Sequence, residues 1–232
     1  MDGSFVAQFW GLEPLQLRNE RIRGQGTLAP SSHRLILASA SPRRREILES
    51  VGIEFEIVVP NVEEVREGEP QQVVLENARR KARAGFERAG DNRLVLGVDT
   101  DVALDGRLLG KPSDHDEARR RLEALSGRTH AVVSGVAVLG RGADERSGTA
   151  RSEVTFRELD EAILKAYLGS GEWRDRAGAY AIQGLGSILV DRVEGDFSNV
   201  VGLPVRLLLE LVPELFEPPG NSPAEGSDGT NP

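Results

Sequence analysis

The sequence predicts an α/β fold with a mixed sheet and flanking helices. Three observations carry that prediction. Short apolar segments alternate with segments of helical period, which interleaves strands and helices. Two neighbouring apolar runs, HAVVSGVAVLG (130–140) and ARSEVTFREL (150–159), have no helix between them and read as paired strands. The stretch RLVLGVDTDVALDGRLLGKP (93–112) reads as a strand, an Asp105-Gly106 hairpin turn and a returning strand.

The remaining elements follow in order. Residues 35–38 form a short strand. Ser41 then serves as N-cap, Pro42 as the first helical residue and Gly52 as the stop of a helix. Residues 55–59 are strand-like. The stretch PQQVVLENARRKARAGFERAG opens on Pro70, ends on Gly90 and lines up Leu75, Ala78, Ala82 and Phe86 at helical spacing. SDHDEARRRLEALSG (113–127) is a helix with Ala118, Leu122 and Leu125 on one face and Gly127 at its end. Residues 160–173 give a short helix, 179–195 read as strand, and 200–216 as the last helix.

The folded body is expected over 34–216, one domain of ample size for a core. Residues 1–33 read as an extension with little periodicity, and 217–232, rich in Pro, Gly and acids, as a disordered tail. Net charge is 29 − 37 = −8, so bulk attraction to a nucleic acid polymer or an anionic membrane is not expected. The absence of cysteine excludes disulfides and thiolate metal sites, and His33, His115 and His130 lack metal-ligand spacing. No apolar run approaches the ~20 residues of a membrane span. The start, MDGSFVAQFWGLEPL, has no basic leader, so a cytoplasmic protein is expected.

Arg43, Arg44 and Arg45 occupy a helix's first turn, where the dipole favours acids. A strand, a Ser-rich turn and a helix start suit a phosphate, with Ser39 and Ser41 as hydroxyl donors and the guanidiniums as planar forks. The plainer reading is that these arginines are solvated or paired with Glu46 and Glu49. Asp99 ends an apolar run at the rim of a core, Asp101 faces the same way two residues on, and Thr100 faces the other. Carboxylates facing a phosphate site suit Mg²⁺ or Mn²⁺, or a base for water; the alternative is a pair of solvated edge residues. Lys81 lies one helical turn from Asn77, and Lys111 follows the hairpin. Alone, each lysine reads as a surface charge. No Walker-type GKS or GKT is present, and Gly184 and Gly186 do not make a dinucleotide fingerprint.

Taken together and in order, Ser39-Ala40-Ser41-Pro42-Arg43-Arg44, Glu64, Lys81, Asp99-Thr100, Lys111-Pro112, AGAYAIQG and GDFSNVVGLP resemble the Maf family of nucleoside triphosphate pyrophosphatases. The resemblance covers nearly all of 34–211. It implies a two-lobed α/β fold around a nucleotide-binding cleft, similar to that of inosine triphosphatases. It also implies hydrolysis between the α- and β-phosphates to a monophosphate and pyrophosphate, a divalent cation (Mg²⁺ or Mn²⁺), and a homodimer. By the same resemblance Asp99 is the proton acceptor. Ser39, Ser41, Arg43, Arg44, Lys81 and Lys111 bind the triphosphate, and Asp99 and Glu64 hold the metal. Arg43, Thr100 and Gln183 are the specificity positions, and their Arg/Thr/Gln combination resembles the dTTP- and UTP-hydrolysing branch. An amide at 183 offers both a donor and an acceptor to a uracil or thymine edge. The chain departs from the family pattern at Arg80, Asp101 and Arg176. Two rival readings stand beside this one: the same chemistry on another base, such as CTP or 7-methyl-GTP, and a nucleotide-binding regulator of cell division and septum formation.

Overall fold

The computed structural model describes residues 35–89, 93–140 and 144–216. The expected extension over 1–33, the expected tail over 217–232 and the helix stop at Gly90 lie outside these residues. A seven-stranded mixed sheet forms the centre. Its strands are β1 (Leu35–Ala38), β2 (Phe55–Ile57), β3 (Leu94–Leu104), β4 (Arg107–Leu108), β5 (Thr129–Leu139), β6 (Glu145–Phe156) and β7 (Val190–Glu194). The order is β2-β1-β3-β5-β6-β7, with β4 paired to β3. β1 is parallel to both β2 and β3, and every other pairing is antiparallel. Asp105 (φ 51) and Gly106 (φ 77) turn β3 into β4, as two left-handed residues must in a two-residue hairpin of this type.

The helices are α1 (Pro42–Ser50), α2 (Pro70–Ala89), α3 (His115–Leu125), α4 (Glu161–Ser170), α5 (Phe197–Val201) and α6 (Val205–Leu211). Asp114 caps α3 by accepting from the Glu117 N–H, and Asp160 caps α4 by accepting from the Ile163 N–H. Helix α2 covers one face of the sheet. Two glycines let it lie there. A Cβ at Gly97 would stand 2.2 Å from the Ala78 carbonyl oxygen, and one at Gly135 would stand 2.3 Å from the Val74 carbonyl oxygen. The buried face of α2 is therefore Val74, Asn77, Ala78, Ala82 and Gly85, turned slightly from the face the spacing suggests.

The opposite face carries two hydrophobic cores. Leu96, Val98, Val136 and Val138 join Leu35, Leu37, Leu48, Leu203 and Leu208 in one. Val102, Leu104 and Val132 join Leu122, Leu125, Phe156 and Tyr167 in the other. Between them β3 and β5 place Thr100 opposite Ser134, a polar seam midway along both strands.

Two expectations are corrected. The strand read over 179–195 is a strand only from Val190. Before it come 3₁₀ turns at Ala177–Ala179 and Gly184–Leu189. Ala179 (φ 63) and Gly184 (φ 74) are left-handed, and a Cβ at Gly186 would meet the Ala181 carbonyl oxygen at 1.8 Å, so the chain folds back on itself. The last helix is broken into α5, α6 and a 3₁₀ turn at Pro213–Phe216. Gly202 (φ 131) and the prolines at 204 and 213 break it.

Candidate active site

A cleft of about 760 Å³ opens across the polar seam, a volume within the range of small-ligand sites. The end of β1 delivers Ser39, and the first turn of α1 delivers Ser41, Arg43 and Arg44. The middle of β3 delivers Asp99, Thr100 and Asp101. Helix α2 contributes Asn77 and Lys81, and the loop before it contributes Glu64. Lys111 and Arg176 come from the loops after β4 and α4.

Asp99 stands at the centre of the α2 side. Its Oδ1 accepts from the Lys81 ammonium at 2.6 Å, and its Oδ2 accepts from the Asn77 amide at 2.9 Å. Glu64 Oε1 lies on the same ammonium at 2.6 Å. Asn77 also accepts from the Val65 N–H at 2.7 Å and donates to the Val65 carbonyl at 3.0 Å, which pins the loop beside Glu64 to the helix. Arg80 points away from the cleft. It pairs with Glu76 and donates to the Glu63 carbonyl, steadying the same loop from outside.

Arg44 organises the other side. It is buried, and it bonds neither Glu46 nor Glu49. Its Nε donates to the Gly202 carbonyl at 2.9 Å, Nη1 to Ser39 Oγ at 2.9 Å and Nη2 to Thr100 Oγ1 at 3.4 Å. Thr100 donates to the same Gly202 carbonyl at 3.2 Å and shares a 2.8 Å bond with Ser134. Burial lowers the Arg44 pKa, and the charges of Asp99 and Glu64 oppose that shift. Ser39 Oγ accepts from Arg44 and from the Ser41 N–H, so its own proton is left to donate. Ser41 is the N-cap of α1 as expected, yet its side chain makes no capping bond and no acid sits in the first turn. The helix start thus keeps its N–H groups for an external acceptor.

Asp101 lines the cleft rather than facing solvent. Its Oδ1 accepts from the Val102 N–H at 2.7 Å and the Gly110 N–H at 3.0 Å. Burial raises its carboxyl pKa to about 6, the two backbone bonds pull it down, and the neighbouring Asp99 adds to the rise. Gln183 is exposed and is not among the lining residues, although Ala181 and Ile182 before it are. Glu172 holds its loop by accepting from the Leu185 and Gly186 N–H groups. Nine of the ten expected site residues are therefore brought to one cleft, with Gln183 beside it.

Two partners escaped the sequence reading. Asn77 was placed on the Lys81 side of α2 but given no role, although a polar residue in an alanine-rich helical face was a usable signal. The Gly202 carbonyl is a backbone group, and no side-chain pattern announces it.

The family's sequence profile, described as Maf-like protein, matches residues 34–215. The chain belongs to the Maf family. Among its relatives is a Thermococcus kodakarensis protein named dTTP/UTP pyrophosphatase, 48% identical over 178 residues, which are 76% of this chain and 94% of that protein. Proteins of the same name from Deinococcus radiodurans (47% over 185 residues, 79% and 94%) and Bacillus cereus (48% over 183 residues, 77% and 94%) also match. The Maf match contains every residue of the cleft named above. No described helix is long and apolar enough to cross a membrane.

The Maf resemblance also implies a divalent cation. Among the described residues no cluster of three or more metal-ligating side chains exists. The donor set is the pair Asp99 and Glu64, whose oxygens converge on one point now held by the Lys81 ammonium. A Mg²⁺-type ion commonly takes one or two carboxylates and completes its shell with phosphate oxygens and water. The pair fits such an ion when a nucleotide's phosphates complete the set.

Proposed function

We propose that this protein hydrolyses dTTP and UTP between the α- and β-phosphates, releasing the nucleoside monophosphate and pyrophosphate. The observation that carries the reading is Asp99, a carboxylate at the cleft centre with one oxygen on Lys81 and the other on Asn77. Membership of the Maf family and the names of the relatives support it.

The basic side chains receive the triphosphate. Ser39 donates its hydroxyl proton, the start of α1 donates backbone N–H groups, and Arg43, Lys81 and Lys111 supply charge. Asp99 and Glu64 would hold the divalent cation, which supplies charge neutralisation at the phosphate oxygens. Asp99 has lone pairs left beyond its two bonds and takes the proton of a water that attacks phosphorus. One P–O bond forms to the water oxygen, the bond to the bridging oxygen breaks, and pyrophosphate leaves with the electron pair. The cations that held the ground state also hold the charge as it moves onto the leaving group. Thr100 and Gln183 are the residues proposed to set base preference. The protein is proposed to act as a homodimer.

A product assay tests the reading. Protein with Mg²⁺ or Mn²⁺ meets a panel of nucleotides, with monophosphate, pyrophosphate and phosphate detected separately. UMP or dTMP plus pyrophosphate is expected, with turnover lost and nucleotide binding kept in Asp99→Asn. Turnover confined to a methylated purine or CTP would overturn the base assignment, and near-normal turnover in Asp99→Asn would overturn the role of Asp99.

A further inference from the structure

Three cations of the cleft are already engaged. Arg44 is tied to Gly202, Ser39 and Thr100, Lys81 to Asp99 and Glu64, and Arg121 to Glu117. Arg43 and Arg176 are distinguished among the others by burial. Each lines the cleft, and each has a buried Nε that meets no hydrogen-bond partner. They come from distant parts of the chain, yet they approach closely enough that their charges repel. After burial, the nearness of Arg176 is the strongest influence on Arg43, and together they bring its pKa down to about 10. Two partly buried like charges with unpaired donors are costly unless a ligand compensates them.

We propose that Arg43 and Arg176 form one anion subsite, which holds the terminal phosphates of the nucleotide, the part that leaves as pyrophosphate. This rests on the triphosphate reading above.

Three arguments fix the ligand class. First, the compensation must be anionic. A pyrimidine carbonyl would accept a hydrogen bond from one guanidinium but would leave the repulsion between the two in place, whereas a phosphate satisfies both forks and both charges. Second, the pair does not hold the carboxylates of the reacting end. Asp99 and Glu64 are bonded by Lys81 and Asn77, and neither carboxylate bonds Arg43 or Arg176. Third, the loop of Arg176 is built into the cleft wall. The Arg176 N–H donates to the Trp173 carbonyl, and the Gly178 N–H donates to the Gly110 carbonyl at 2.9 Å, beside Lys111. A Cβ at Gly178 would meet Val102 Cγ2 at 2.8 Å. Arg176 and Lys111 are thereby held on linked loops, on the side of the cleft facing away from α2.

The test uses the full chain and two probes, inorganic pyrophosphate and UMP, titrated calorimetrically in magnesium buffer onto wild type, Arg176→Met and Arg176→Lys. Arg176→Met is expected to weaken pyrophosphate at least tenfold and leave UMP within twofold, with Arg176→Lys recovering part of the loss. Its KM for UTP rises while the UTP-to-CTP ratio of kcat/KM is unchanged. Its melting temperature equals or exceeds that of wild type, because a repulsion has been removed. Unchanged pyrophosphate affinity, or a loss shared equally by UMP, overturns the proposal. A shifted UTP-to-CTP ratio would place the pair at the base, and a lowered melting temperature would make Arg176 a packing residue; either also overturns it. If wild type turns over no nucleotide, the pyrophosphatase reading falls, and the pyrophosphate titration still decides the subsite.

Discussion

Asn77 offers a sharp test of how this site is built, because it does three things at once. It is buried, it donates to Asp99 Oδ2, and it brackets Val65 with two bonds. Replacing it by leucine keeps the volume and removes all three bonds. A bond to a charged group contributes about 1.5–3 kcal/mol and a neutral one about 0.5–1.5 kcal/mol. Val65 is only half-buried, so its N–H and carbonyl recover water. The net loss expected in a urea titration is about 2–4 kcal/mol. The kinetic effect arises separately. With Lys81 alone on Oδ1, the Asp99 carboxylate can swing, and misplacing a reacting group by an ångström can cost on the order of 100-fold. A fall in kcat of about 10- to 100-fold is expected, or about 1.4–2.7 kcal/mol of activation free energy, with KM changed less. A double-mutant cycle decides whether Asn77 acts through Asp99. In the Asp99→Asn background, Asn77→Leu should lower the residual rate by less than about threefold, since no carboxylate is left to position. An equal penalty in both backgrounds would refute the reasoning.

Three further outcomes are expected. Gly97→Ala places a Cβ 2.2 Å from the Ala78 carbonyl oxygen and 2.5 Å from the Ala82 nitrogen, both helix backbone. Helix α2 must lift, costing about 1–3 kcal/mol in chemical denaturation and moving Asn77 and Lys81 off Asp99, so kcat should fall more steeply than stability does. Arg44→Lys cannot reach Gly202, Ser39 and Thr100 together, and it should lower the melting temperature and abolish turnover despite keeping the charge. His130 is buried behind the cleft wall with its Nε2 on the Tyr180 hydroxyl, and burial depresses its pKa to about 4. The unfolded chain therefore binds a proton near pH 6.5 that the folded chain refuses. Stability should fall as pH drops from about 6.5 to 4, by up to about 3 kcal/mol, and urea midpoints of His130→Gln should lack that component.

Strand and turn chemistry was plainly legible. Leu35–Ala38, the Asp105-Gly106 hairpin, helix α1 and the capped helix α3 lie where local residue preferences put them. The site residues were legible only together and in order, since Lys81 and Lys111 each read alone as a surface charge. Residues 179–195 were not, since their apolar run reads as a strand while tertiary contact at Gly186 and left-handed residues at Ala179 and Gly184 override the preference. Nor was the division of labour among the arginines legible. Sequence spacing offers Glu46 and Glu49 as partners for the arginine run, but the partners of Arg44 lie 5, 56 and 158 residues away.

That division accounts for a cationic cleft in an acidic protein. Arg44 and Lys81 are spent on architecture while no nucleotide is bound. Arg44 joins the start of α1, the middle of β3 and the α5–α6 junction through one guanidinium, and Lys81 draws Asp99 and Glu64 onto a single point. Arg43, Lys111 and Arg176 have no hydrogen bond or ion pair from their side chains to another described residue, and they line the same cleft. Their unpaired charge is what a triphosphate would neutralise. If so, removing a tied cation should damage the free protein as well as the reaction, while removing an untied one should spare the fold and weaken only the hold on phosphate. Arg44 and Arg176 are the pair on which the two classes can be told apart. The contrast needs no substrate assay at all, because melting temperature should fall in one variant and not in the other.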